Sequence, residues 1–280
     1  MMNLIPSTKN PIDFHKAVIA KKRDSTLRSR LTAIDAIIAQ DFAVYENRFL
    51  NNNLESLVAT VHSDETKADL LSLYSYKNSL ITSIKNEVTT TVTNRKIATC
   101  QNCTIGEGSS LDHLVPKEEF NSFAVNPLNL FPSCTSCNSR KGRFWLSGGR
   151  RKFLNLYLDI LPDVQYLFPT VQLINGDFTV IYEVDNRNGI NHQLFRTIES
   201  HYRALNLCAR FTENLDKVIP KLITSIKPSR RLMSRADIVR TSLETATENQ
   251  DLYGFNYWYS ITEIELLNSQ AFMDYVYSLP

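Results

Sequence analysis

The chain has no apolar run near the roughly 18 residues that a membrane-spanning helix needs. Its opening, MMNLIPSTKN, has neither the basic nor the apolar region of a signal peptide. With only 8 glycines among 280 residues, it carries no glycine loop that could cradle phosphates. It also shows no internal repeat, low-complexity tract or recognition-helix signature. These absences exclude a membrane-embedded protein, a repeat array and a nucleotide-driven motor. The formal net charge is only +2, so any attraction to a polyanion must be local. Five cysteines without a leader fit a reducing cytoplasm rather than a disulfide scaffold. A hydrophobic content of 43% is ample for an ordinary folded core.

Four of the five cysteines lie in two knuckles, Cys100-x-x-Cys103 and Cys134-x-x-Cys137. Two such pairs supply the four thiolates of a closed tetrahedral zinc site, and adjacent knuckles are short for disulfides. Four thiolates leave no open position for water or substrate, so Zn²⁺ here is expected to be structural. The fifth, Cys208, sits in the apolar stretch LNLCARF and reads as a small hydrophobe.

Between the knuckles, Ser110 to Val115 alternates and is rich in aliphatics, which predicts a strand presenting Asp112 and His113 at its end before Pro116. Asn129 to Pro132 reads as the returning strand, and the stretch after Cys134, CNSRKGRFW, as the start of a helix. Ser147-Gly148-Gly149 reads as that helix's end and a hinge. Strand, strand and helix on a zinc base make a ββα unit.

This pattern resembles the zinc-clasped branch of the HNH (ββα-metal) endonuclease family. The motifs that carry the likeness are Asp112-His113-Leu114-Val115-Pro116, the asparagine Asn129 in NPLNL, Asn138 directly after the second knuckle, and Lys141 three residues on. The likeness covers about 45 residues and implies a nuclease that hydrolyses phosphodiester bonds to 5′-phosphate and 3′-hydroxyl ends.

The chemistry of these residues suits that reaction. A hard cation such as Mg²⁺ or Mn²⁺ takes oxygen ligands and keeps several waters, so Asp112 and Asn138 suffice as protein ligands. His113 is left as general base. Asn129 reads as a loop organiser through backbone hydrogen bonds, and Asn126, before Pro127, as a turn residue. Glu118 and Glu119 read as solvated. Arg140, Lys141, Arg143, Arg150, Arg151 and Lys152 fall within thirteen residues without an acid among them, a local cationic patch suited to a nucleic-acid backbone. Phe144 and Trp145 read as residues that pack the helix onto the next domain, with stacking on bases chemically allowed.

The flanks are predicted to be mostly helical, giving an α+β chain dominated by helix: a helical region over residues 1–90, the ββα finger over 91–150, and a helical region over 151–280 with a β-hairpin near 170–184. Leu27, Leu31, Ile34, Ile37, Ile38, Phe42 and Tyr45 mark one helix face. Leu54 to Val61 and Glu65 to about Val88 continue in that style, with Ser63 or Asp64 as a cap. FLNLYLDIL reads as a short helix, and Asn175-Gly176-Asp177 between two alternating runs as the hairpin turn. His15 and His62, without partner motifs, read as ordinary surface or helix residues. His192 and His201, nine apart, do not share a face.

The expected partner is DNA, and the residues do not separate DNA from RNA. One such centre cuts one strand per engagement, so double-strand breaks need a homo-oligomer or two visits. With neither motor nor sequence reader in the chain, control by a partner such as an ATPase, as in antiphage-defence effectors, is one expectation. The alternatives are a homing or mobile-element endonuclease and a non-catalytic zinc-dependent nucleic-acid-binding module.

Overall fold

The structure is a computed structural model that describes residues 1–280. The chain divides into two compact units, one of Asn3–Asn102 and Gly106–Ile160, the other of Met1–Met2, Cys103–Ile105 and Leu161–Pro280. The fold is α+β and mostly helical, with three separate two-stranded sheets. No helix is long and apolar enough to cross a membrane.

The first unit begins with α1 (Pro11–Ala20), α2 (Ser25–Ala33), α3 (Asp35–Leu50), α4 (Asp64–Leu73) and α5 (Ser79–Val88). Their starts are written in the sequence: the side chains of Asn10, Asp24, Ser63 and Asn78 each accept a backbone N–H of the following first turn. The single helix predicted across Leu27 to Tyr45 is instead two, broken at Ile34 (φ −104°, ψ 7°). Leu31 and Ile38 stay buried on either side of the break. Apolar spacing alone therefore could not reveal it. The run from Glu65 to Val88 is likewise two helices, parted where the Tyr74 hydroxyl donates to Leu111 O (2.7 Å) and Asn78 caps α5. Of Leu54 to Val61, only Leu54–Ser56 forms a helical turn.

The ββα element follows. Strand β1 (Ser110–His113) pairs antiparallel with β2 (Leu130–Ser133), Ser110 opposite Ser133 and His113 opposite Leu130. Helix α6 (Thr135–Lys141) comes next. It ends at Lys141, earlier than expected. Gly148-Gly149 is not a helix end but the turn between β3 (Leu146–Ser147) and β4 (Arg150–Arg151). Both glycines have positive φ (56° and 71°), a region where side chains cost energy. The helix predicted for FLNLYLDIL is absent. Asn155 Oδ1 accepts from Tyr157 N (3.2 Å), and Asp159 Oδ2 accepts from Asn155 N (2.7 Å), so side chains satisfy backbone donors that a helix would otherwise use.

The second unit opens with the expected hairpin, β5 (Leu167–Ile174) and β6 (Asp177–Val184). Asn175 (φ 52°) and Gly176 (φ 89°) make its turn, the conformation that suits the right-handed strand twist. Helices α7 (His192–Leu205), α8 (Leu207–Thr212), α9 (Ile219–Ser229), α10 (Arg235–Tyr253), α11 (Trp258–Asn268) and α12 (Gln270–Ser278) complete it. Its core includes Trp258 stacked on Phe211 (centroids 5.3 Å, 5° between planes), and the Tyr182 and Thr262 hydroxyls share a buried hydrogen bond of 2.5 Å.

Candidate functional site

Two features of the ββα element bring its polar side chains together. Alternate residues of a strand share a face, and residues three apart on a helix share another. Ser110 and Asp112 of β1 therefore face α6, where Asn138 Nδ2 lies 3.4 Å from Ser110 Oγ and Lys141 Nζ lies 3.1 Å from Asp112 Oδ2. Lys141 Nζ also donates to Asp112 Oδ1 (3.2 Å) and to the backbone carbonyl of His113. Lys141, expected on sequence as a phosphate contact, is a buried ion-pair partner.

His113 is only 6% exposed. Its Nε2 is 2.9 Å from Ala124 O, and because a carbonyl can only accept, Nε2 carries the proton and Nδ1 the lone pair in the neutral ring. Burial drives its pKa down to about 3, so the imidazole is neutral at ordinary pH. The ring of Tyr74 meets it edge-on, with centroids 4.5 Å apart and planes at 65°. Burial pushes the Asp112 carboxyl above the usual carboxylate range, against the opposing pull of Lys141.

Asn129 is fully buried and fully used. Its Nδ2 donates to Val115 O and Phe123 O (both 3.1 Å), and its Oδ1 accepts from Val115 N (2.8 Å) and from the Tyr45 hydroxyl (3.1 Å). One amide thus ties both ends of the loop after β1 to α3, and that loop supplies Ala124 O to His113. Asn126 caps a short turn by accepting from Leu128 N (3.0 Å).

The four knuckle cysteines are buried, and their sulfurs all lie within 4.8 Å of one another. Tetrahedral zinc with bonds of about 2.3 Å sets its sulfurs about 3.8 Å apart, a small adjustment from this arrangement. Cys134 Sγ accepts from Cys137 N (3.3 Å), and Cys103 Sγ from Ile105 N (3.5 Å), the bonds that stabilise thiolates. The cluster suggests a structural zinc site.

The cationic stretch divides. Arg140, Arg143 and Arg150 are exposed and Lys152 is half-buried. Arg151, in contrast, is held by Asp159 (two bonds of 3.2 Å) and Glu55 (3.2 Å), so its guanidinium is engaged within the fold. Trp145 is buried against Phe120 (5.8 Å, 86°), whereas Phe144, expected to pack, is 66% exposed. His15, read as an ordinary surface or helix residue, lies on α1 but is buried and edge-on to Phe42 (5.6 Å, 86°). Tyr74, the Tyr45 hydroxyl and Ala124 O, which meet these side chains, carry no local mark in the sequence of a part in the site. Their only signal is proximity in the fold.

Comparison with known proteins bears on the same segment. Over 185 residues the chain is 27% identical to the protein called "Protein ea31" of Escherichia phage lambda, covering 60% of each, so it spans less than two thirds of that relative's length. No solved structure matches. The HNH endonuclease family matches residues 100–144, the stretch that holds both cysteine knuckles, the Asp112-His113 strand and α6: this chain carries an HNH endonuclease domain of the zinc-binding type.

Proposed function

We propose that the protein is a divalent-metal-dependent endonuclease that hydrolyses phosphodiester bonds in DNA. The observation that carries this reading is the oriented His113: Ala124 O fixes Nε2 as the donor, which leaves Nδ1 as the proton acceptor. Binding alone requires no such base.

Asp112 and Asn138 would hold Mg²⁺ or Mn²⁺. Their oxygen donors fit a hard cation, and the Asp112 carboxylate already faces a positive charge, the Lys141 ammonium. When bound, the cation supplies charge neutralisation at the scissile phosphate and the leaving oxygen. His113 Nδ1 takes a proton from the water that attacks phosphorus. The bond from phosphorus to the 3′ oxygen breaks and that oxygen takes a proton from solvent water, leaving 5′-phosphate and 3′-hydroxyl ends. Asn129 and Tyr74 hold the loop and the imidazole in place, and Lys141 fixes Asp112. Arg140, Arg143, Arg150 and Lys152 bind the phosphate backbone, a role from which the pairing of Arg151 removes it.

The likeness to a protein of a phage favours a mobile-element endonuclease over an antiphage effector controlled by an ATPase as the biological setting. Incubating the purified chain with end-labelled DNA and RNA, and ligating the products, tests the reading. Metal-dependent cleavage of DNA to ligatable ends supports it. Binding without cleavage in any divalent metal supports the zinc-dependent binding module instead.

A further inference from the structure

We infer that Phe144 is a stacking platform for an unpaired base, so that the strand at this centre is single-stranded or locally opened. This inference rests on the nuclease reading and adds the substrate's form to it. The segment after α6 is built to display this ring. Trp145 is 4% exposed and anchors the segment on Phe120, Trp145 O accepts from Lys152 N (2.8 Å), and β3 and β4 close behind it. On this fixed base Phe144 stands 66% in solvent, with the Arg143 guanidinium 5.4 Å from its ring centroid. Arg140, Arg143 and Arg150 make no ion pair. An exposed benzyl ring gains nothing from phosphate. Beside cations that track a backbone, it gains by stacking on a base, which is also how a neighbouring guanidinium adds affinity. A fully paired duplex keeps its base faces stacked on one another and offers none. The occupant with matching charge and matching face is therefore a strand with an unstacked base.

The test separates base from backbone. Full-length His113→Ala protein, alone and combined with Phe144→Ala, is titrated with a labelled single-stranded DNA oligonucleotide and with its abasic counterpart of equal length and charge, and the pair is repeated in RNA. The parent should prefer the base-bearing strand by about fivefold to a hundredfold, the range for one aromatic–base stack. The Phe144→Ala protein should bind both strands alike, at the parent's abasic affinity. Phe144→Trp should restore the preference and add a saturable quenching that the parent lacks, because Trp145 and Trp258 are buried and out of a base's reach. Equal binding of both strands by the parent overturns the inference and leaves the nuclease reading standing, as does an unchanged preference in Phe144→Ala. No binding of any single strand by any of the proteins overturns the inference alone, because the nuclease reading is tested on duplex DNA.

Discussion

Lys141 Nζ lies 3.1 Å from Oδ2 and 3.2 Å from Oδ1 of Asp112, and both side chains are buried. The ammonium therefore engages both oxygens of the carboxylate that is proposed to hold the cation. Removing one member of a buried pair leaves the other uncompensated, at a cost of about 3 to 5 kcal/mol. Lys141→Met should lower the melting temperature of zinc-loaded protein, free of Mg²⁺ and Mn²⁺, well below that of wild type. Added Mn²⁺ should recover more stability in the variant than in wild type. Equal melting of the two zinc-loaded proteins would show that the pair contributes nothing.

Tyr74 touches the site in two separable ways. Tyr74→Phe keeps the ring against His113 and loses only the bond to Leu111 O, worth about 1 kcal/mol of stability. Cleavage should be nearly unchanged. Tyr74→Ala frees the imidazole and should lower kcat about tenfold or more at constant KM. Steady-state kinetics on the two variants checks this, and equal loss in both would assign the effect to the hydroxyl.

His15 gives the fold an acid sensitivity of its own. It is fully buried, neither ring nitrogen has a hydrogen-bond partner, and burial, with Lys16 beside it, lowers its pKa from 6.5 to about 4. The unfolded chain binds the proton first. Stability from this group is therefore complete above pH 6.5, falls as pH drops toward 4, and amounts to roughly 3 kcal/mol. His15→Phe should flatten the melting-temperature profile between pH 6.5 and 4. Parallel profiles for the two proteins would contradict it.

Zinc and catalytic metal should separate by mutation. Cys134→Ser should lose zinc and the fold of the ββα element, because metal binding and folding are one process in such sites. Asp112→Ala and Asn138→Ala should keep wild-type zinc content and lose cleavage. Elemental analysis with circular dichroism checks both, and zinc loss in all three variants would contradict the division.

The parts of this molecule legible in sequence are those whose chemistry is local. Knuckle spacing, the Asp112-His113 strand, the Asn175-Gly176 turn and the helix cap at Ser63 each depend on a few consecutive residues. What could not be read depends on distant partners. Tyr74 reaches His113, and Tyr45 reaches Asn129, across stretches that carry no covarying pattern in one chain. The Lys141 and Arg151 side chains have the composition of surface cations, and only Asp112, Asp159 and Glu55 nearby show that they are engaged. The apolar period of FLNLYLDIL favours a helix, yet Asn155 and Asp159 capture its backbone. Phe144 and Trp145 are adjacent aromatics with opposite fates, which the β3–β4 turn decides.

The proposed metal-dependent cleavage requires His113 as its proton acceptor. The measurement that tests this most directly is conversion of supercoiled plasmid by wild type and His113→Ala in Mg²⁺, in Mn²⁺ and in EDTA. The predicted result is nicking by wild type with either metal, none in EDTA, and loss of a hundredfold or more in the variant, about the share of a general base. Cleavage by His113→Ala at the wild-type rate, with zinc and fold intact, would contradict it.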